Sequence, residues 1–507
     1  MMSWQVALIM TTAYVGFMLA IVFFTKKKNQ TAGEFFIMNR QLGVFRGAFS
    51  IAASWIWAPA VFICSQKSYQ QGLPGIFWFT FPNILCFFTF VPLALRARKL
   101  LPHGYSMPDY LFARYEGHTG VHKSALIVYF GYQMGAIVIN ALAGGMLVHT
   151  LTGLPVNGCI IFMSCAALSY SLIGGLRASV MTDMVQMCLI LFIAFVLVPW
   201  VLFETGGLSV VVEGLGGKTG EFANIFDPSV AYSFGIAATI GLISGPVGDQ
   251  MWFQRAFAAR RDSIAKIFMI GGIAFGIVPI VLSILGFVGA APSVQAQLGT
   301  FDPQMVGPQV VAHFLPNWAL AAFVILAFAG LSSVMDSAFA AISSLTAVDV
   351  YKRYIQSDAS EADMVRVSRR SMLFFAIIGT CVALLKPQLV WLFLIYGALA
   401  SAMLVPIFFS LFSKRVTATG VVAAILSSIG VSVPLSIYGN TTQSVHLVVL
   451  AAVLPPVLGI IACLASVCLN KKEFSYKDFS ARLAKEEWRH DDQGNCVMDA
   501  NIRGHKK

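Results

Sequence analysis

Two short stretches interrupt long apolar runs with groups that could hold a cation. The first reads Ser50-Ile-Ala-Ala-Ser-Trp-Ile-Trp-Ala-Pro59 and the second Gly241-Leu-Ile-Ser-Gly-Pro-Val-Gly-Asp-Gln250. Proline has no N–H, so Pro59 deprives the Trp55 carbonyl of its helical donor, and Pro246, beside Gly245, does the same to Leu242. A carbonyl freed within a membrane must be satisfied by neighbouring helices or by an ion, and Na⁺ takes oxygen ligands. A third stretch, Ala329-Gly-Leu-Ser-Ser-Val-Met-Asp-Ser337, sets Ala329, Ser332 and Ser333 at i, i+3 and i+4 on one helical face. That face offers one backbone oxygen and two hydroxyls. Asp183, Asp249 and Asp336 fall in or beside apolar runs, where an ionisable group is costly and defaults to a functional reading. Asp183 is also near Arg177, so an interfacial ion pair is the plain alternative. Lys67 is read as snorkelling to the surface, which leaves no other Lys or Arg deep in a span.

The elements that must position these groups are transmembrane helices. Only 11% of the 507 residues are charged and 58% are hydrophobic, whereas a soluble chain would carry about 25% charged residues. A span needs about 20 apolar residues, and that rule gives about thirteen: 5–24, 47–70, 73–95, 124–150, 157–174, 183–203, 231–250, 264–289, 318–346, 371–386, 389–413, 417–438 and 446–470. The chain is therefore read as an all-α polytopic membrane protein with one transporter domain over 1–470 and a polar cytoplasmic tail over 471–507. Basic residues set the orientation. With the N-terminus outside and the C-terminus inside, all but Lys67, Lys218 and Lys386 of the 34 Lys and Arg face the cytoplasm. The first run reads as a retained helix, because Lys26–Lys28 follow it and no small-residue cleavage site does.

Several function classes drop out. The net charge of +11 is spread as short clusters between apolar runs, so it reads as topology and not as nucleic-acid binding. The nine Cys form no CxxC pair, the eight His form no metal motif, and no phosphate loop or nucleophile–base pair is present. No cofactor is expected beyond Na⁺ as coupling ion. A secondary symporter is the favoured class; a passive channel or a membrane sensor is the alternative. The two broken spans lie five spans apart, as the first helices of two inverted five-helix repeats would, at about 47–203 and 231–413.

The motifs resemble those of the sodium:solute symporter family. They are Gly174-Gly-Leu-Arg-Ala-Ser-Val-Met-Thr-Asp183-Met-Val-Gln186, Gly248-Asp-Gln-Met-Trp-Phe-Gln254-Arg255, and Ser332-Ser333…Asp336-Ser337…Ser343-Ser344…Asp349-Val-Tyr351. The resemblance implies a leucine-transporter-like core with one extra helix before it and two after, working by alternating access coupled to Na⁺. It implies a sodium site made of the carbonyls of Ala53, Ile56 and Ala329 and the hydroxyls of Ser332 and Ser333. Some members bind a second sodium through an Asp at the position of Asp183 and Ser at positions held here by Met335 and Asp336. Methionine is a poor sodium ligand, so Asp336 is read with Asp183 as a candidate for coupling to a cation or a proton, or as a structural partner.

For the solute, Ser54-Trp-Ile-Trp-Ala58 and Gly72…Gly75-Ile-Phe-Trp78 resemble the urea permeases of the family. Trp55 and Trp57 would offer flat faces to a small planar solute, with Ser54, Asp249 and Gln250 as polar partners. The same faces suit a quaternary amine or an amino acid such as proline, and a monocarboxylate could use a helix N-terminus. The remaining partner is the lipid bilayer, with a monomer expected in a bacterial inner membrane.

Overall fold

The computed structural model describes residues 4–25, 31–479, 489–490 and 496–497. The fold is all-α. Apart from a two-residue strand pair, Arg489–His490 with Cys496–Val497, the described residues carry no sheet. The long helices are α1 (Trp4–Thr25), α2 (Val44–Ala53), α3 (Cys64–Leu100, entered through a π-helical turn at Pro59–Ile63), α4 (Met107–Arg114), α5 (Thr119–Thr152) and α6 (Val156–Thr205). They continue as α7 (Ile236–Gly248), α8 (Gln250–Ala258), α9 (Ile264–Ala290), α10 (Asn317–Ser344), α11 (Glu361–Ala383), α12 (Leu389–Phe412), α13 (Ala418–Thr441) and α14 (Val445–Leu469).

Ten helical runs among the described residues are long and apolar enough to cross a membrane. The difference from the expected thirteen has a physical origin. The runs Pro59–Leu100 and Val156–Thr205 were each divided in the sequence reading, at 70–73 and 174–183. In the structure each run is two helices that meet at a corner with no loop between them, at Gly72 (φ 55°, ψ −144°) and Gly175 (φ 54°, ψ −140°), within the stretches where the sequence reading divides them. A Cβ at Gly175 would stand 2.5 Å from the Phe35 carbonyl oxygen, and one at Gly72 2.4 Å from that of Leu215, so both corners require glycine. The third difference is α11, whose first ten residues hold Glu361, Asp363, Arg366, Arg369 and Arg370.

The polarity runs opposite to that of a soluble protein. Large apolar side chains point outward, with Phe24 and Phe203 each 84% exposed, while Ser, Asn, Gln and Asp collect inside. This is the arrangement lipid imposes. Helix α10 is central, packing on α5 and α6. Beyond α14 the chain folds back: the Phe474 amide donates to the Lys414 carbonyl at 2.8 Å, the Tyr476 hydroxyl donates to Ser413 at 2.9 Å, and Arg114 lies 3.4 Å over the Phe474 ring. The expected tail over 471–507 thus begins as a docked segment; most of it lies outside the described residues.

Candidate functional site

Helix α2 stops at Ala53, and residues 54–57 leave the helix. The Ile56 amide turns back onto the Ala53 carbonyl at 3.0 Å, and Asn140 of α5 accepts from the Ala58 amide at 2.8 Å. Pro59 is therefore not the residue that interrupts a helix, as the sequence suggested. It is the first residue of the following turn, where its missing N–H costs nothing. The second break is likewise displaced: Gly245 and Pro246 lie inside α7, and the chain becomes extended at Asp249 (φ −110°, ψ 116°). The two breaks are neighbours in space through their flanks, since Leu42 pairs with the Ala258–Arg260 backbone at 3.0 and 3.1 Å.

The first break abuts α10 where small residues permit it. A Cβ at Gly330 would stand 3.2 Å from the Ile56 carbonyl oxygen. Ile56 thus abuts α10 one residue after Ala329 and two and three residues before Ser332 and Ser333. Ala53, also an expected ligand, has its carbonyl engaged by Ile56. The Ser332 hydroxyl meets Tyr14 at 2.8 Å and accepts from Gln186 at 3.1 Å, while Ser333 donates to Asp183.

Asp183 is the centre of a wholly buried polar network. Its carboxylate also accepts from Ser50 at 2.6 Å and from Arg255 at 2.8 Å. Arg255, on α8, donates further to Ser50 at 2.9 Å, to Ser337 at 2.7 Å and to the Met251 carbonyl at 3.2 Å. Asp336 accepts from Ser179 at 2.7 Å and Thr182 at 3.1 Å, and Ser179 also reaches Asp183 at 3.3 Å. Two sequence expectations are corrected here. Asp183 does not pair with Arg177, which binds Glu34 at 2.6 Å instead. A cation does lie deep in the fold, because Arg255 has no exposed side-chain surface. Lys67, in contrast, rests 4.2 Å over the Phe234 ring.

Trp55 and Trp57 line an internal cavity with Asn83, Tyr132, Leu242 and Tyr396, which leaves about 40 Å³ open to the centre of a water molecule. The Trp55 indole donates to Asn83 at 2.9 Å and packs edge-on against Trp252 at 5.0 Å; Trp57 lies 5.3 Å from Tyr132. The Trp57 indole nitrogen is buried without a hydrogen-bond partner. Pro246 has no N–H to give the Leu242 carbonyl, so the cavity wall carries an indole donor and a helix carbonyl relieved of its usual bond. Gly245 serves the same wall, as a Cβ there would stand 2.7 Å from the Trp55 ring.

The other expected solute contacts are placed elsewhere. Ser54 bonds its own helix at the Ile51 carbonyl (3.1 Å), and Gln250 reaches the Tyr105 carbonyl (3.0 Å) outside the cavity. Asp249 caps α8 through the Met251 amide and accepts from Gln133, both at 2.7 Å, and its second oxygen is buried without a partner. The sequence reading missed Tyr14, Ser50, Asn83, Asn140, Ser179 and Gln186 as contributors. Their polarity inside apolar helices was the available signal; their convergence was not.

The comparisons with known proteins bear on the family and the fold. Residues 35–428 match the model of the sodium:solute symporter family. A probable urea active transporter 1 of Schizosaccharomyces pombe is 23% identical over 79% of this chain and 65% of its own length. A urea-proton symporter of Oryza sativa subsp. japonica is 22% identical over 76% of this chain and 58% of its own. This chain thus spans about three fifths of the length of the urea transporters it matches. A solved Na⁺-coupled sialic acid symporter, substrate-bound and outward-open, superposes with a TM-score of 0.76 at 18% identity, covering 92% of this chain and 98% of that one, and so shares the fold. With ten apolar membrane-length helices and a family match over most of its length, the chain is an integral membrane protein that belongs to the sodium:solute symporter family.

Proposed function

We propose that the protein is a secondary symporter that imports a small polar solute by alternating access, driven by Na⁺ held between the first helix break and α10. One observation carries the reading: where the backbone leaves the helix, Ile56 abuts α10 at Gly330, next to Ala329 and close in sequence to Ser332 and Ser333, and Ser333 donates to the buried carboxylate of Asp183. Oxygen ligands next to a buried anionic group are what a hard cation requires. The distribution of Lys and Arg among the loops supports an orientation with the N-terminus outside and the C-terminus inside.

Urea is the solute the cavity favours. A space of about 40 Å³ for water centres corresponds to roughly three waters, the scale of a four-heavy-atom solute. Trp57 can donate to its carbonyl oxygen, and the Leu242 carbonyl and Asn83 can accept from its amides. The likeness to urea transporters points the same way. A second reading couples to H⁺: the network holds two buried carboxylates against one guanidinium, and a proton on Asp336 would balance it.

The test is uptake of labelled urea and labelled proline into proteoliposomes, with an inward Na⁺ or an inward H⁺ gradient. Concentrative, Na⁺-dependent urea uptake is expected. Uptake driven by H⁺ alone selects the second reading, Na⁺-driven proline uptake removes the cavity argument, and flux indifferent to both gradients removes the symporter.

A further inference from the structure

Helix α3 ends in a different kind of site. Arg98, in its last turn, is only 6% exposed, and its Nε and Nη1 have no hydrogen-bond partner. A basic residue that merely marks membrane topology keeps its guanidinium in water. This one does not, and among the described residues no carboxylate pairs with it. The charges that bear on it are those of Arg40 and Arg261. Arg40 is held by its Nη1, which donates to the Gly104 and Phe257 carbonyls at 3.1 Å each. Arg261 is exposed and opens the turn Arg261–Ser263, directly after the backbone pairing of Leu42 with Arg260. His103, on the loop after α3, feels all three: burial first, and then Arg40, Arg98 and Arg261, hold its imidazole down to about 4. Three segments therefore meet here, the end of α3 with Gly104, the Arg40–Leu42 stretch and the Ala258–Arg261 stretch, each carrying an Arg, with two buried donors of Arg98 unused.

We propose that Arg98, Arg40 and Arg261 form a binding site for a phosphate-type oxyanion. Guanidinium forks match the oxygens of a phosphate in paired hydrogen bonds, and a dianion offsets the mutual repulsion of the three cations. Basic pockets at the ends of membrane helices take the phosphate of anionic lipid headgroups, and free inorganic phosphate presents the same chemistry. The site is separate from the Trp55–Trp57 cavity and from the Asp183 network.

The experiment uses the full-length protein in neutral detergent. Its apparent unfolding temperature is measured against inorganic phosphate at constant ionic strength, and separately against phosphatidic acid and phosphatidylcholine. Saturable stabilisation by a phosphomonoester is expected, with half-saturation moved by about tenfold or more in Arg98→Gln. Stabilisation by inorganic phosphate as well as by phosphatidic acid identifies a free-anion site; stabilisation by phosphatidic acid alone identifies a lipid headgroup site. Arg261→Gln, whose side chain is exposed and outside the core, carries the test if Arg98→Gln does not fold. The proposal is overturned if phosphate and phosphatidic acid do no more than chloride and phosphatidylcholine, or if the variants saturate as the wild type does.

Discussion

Replacing Asp183 and Asp336 one at a time by Asn should have unequal consequences. Both carboxylates are buried; the guanidinium of Arg255 pairs with Asp183, and the Ser179 hydroxyl lies between the two carboxylates. Asp183→Asn keeps the shape of the side chain but leaves Arg255 facing a neutral amide across its 2.8 Å contact. Breaking a buried ion pair costs about 3–5 kcal/mol. The amide oxygen can still accept from Arg255 and Ser50, so the low end applies, about 3 kcal/mol, or roughly two powers of ten in an equilibrium constant. Asp336→Asn removes the charge that has no counterpart. Its oxygen can still accept from Ser179, and its amide can donate to Thr182, so the loss is about 1 kcal/mol or less. The assay is the apparent unfolding midpoint in Na⁺-free buffer, followed by Na⁺ titration. Asp183→Asn should unfold well below the wild type and gain little from Na⁺. Asp336→Asn should unfold near the wild type. If Asp183→Asn were as stable as the wild type while Asp336→Asn collapsed, the assignment of Arg255 to Asp183 and the count of charges would both be wrong.

Other perturbations test neighbouring parts. Ser332→Ala with Ser333→Ala removes two proposed ligands, and Na⁺ stimulation of uptake should fall at least tenfold in apparent affinity; unchanged Na⁺ dependence in flux assays would empty the proposed site. Trp57→Ala opens the cavity and deletes its indole donor, so KM for urea should rise, alongside a stability loss of about 3–5 kcal/mol from the buried ring; an unaltered KM would return Trp57 to packing. The pH dependence of stability follows from His103, whose imidazole is held down from 6.5 to about 4. The unfolded chain then binds the proton first, so stability falls as pH drops from about 6.5 towards 4. Thermal scans across that range should show a shallower fall in His103→Gln; an identical slope would mean that other groups dominate.

What was legible in the sequence, and what was not, follows from the range of each interaction. Hydrophobic run length located the helices to within a few residues, because lipid sets that length directly. Gly72 and Gly175 stand where the sequence reading divides the runs, since a glycine corner ends one helix and starts the next as a short loop does. Proline was informative about place but not about role: Pro59 starts a helix, and Pro246 relieves a carbonyl one turn back without stopping α7. Ala329, Ser332 and Ser333 were readable as one face because helical spacing is local. Arg255 was not readable as the partner of Asp183, since that pairing depends on how α8 crosses α6. Arg177 is nearer in sequence, but it takes Glu34. The exclusion of Gln250 and Ser54 from the cavity also rests on tertiary contacts, with the Tyr105 loop and the Ile51 carbonyl.

The glycine corners also bear on how the gene can vary in length. At Gly72 and Gly175 one helix becomes the next with no connecting residues to absorb an insertion. One added residue after Gly175 would rotate everything up to the next loop by about 100° relative to the corner. Asp183 would then swing away from Ser50, Ser333 and Arg255 together. Deletions would do the same in the opposite sense. Length changes and epitope tags should therefore be accepted in the exposed loop tip around 219–221, which contains no helix to rotate and lies beyond the residues that pack on Gly72. They should be rejected between 175 and 183, although neither segment is distinguished by charge.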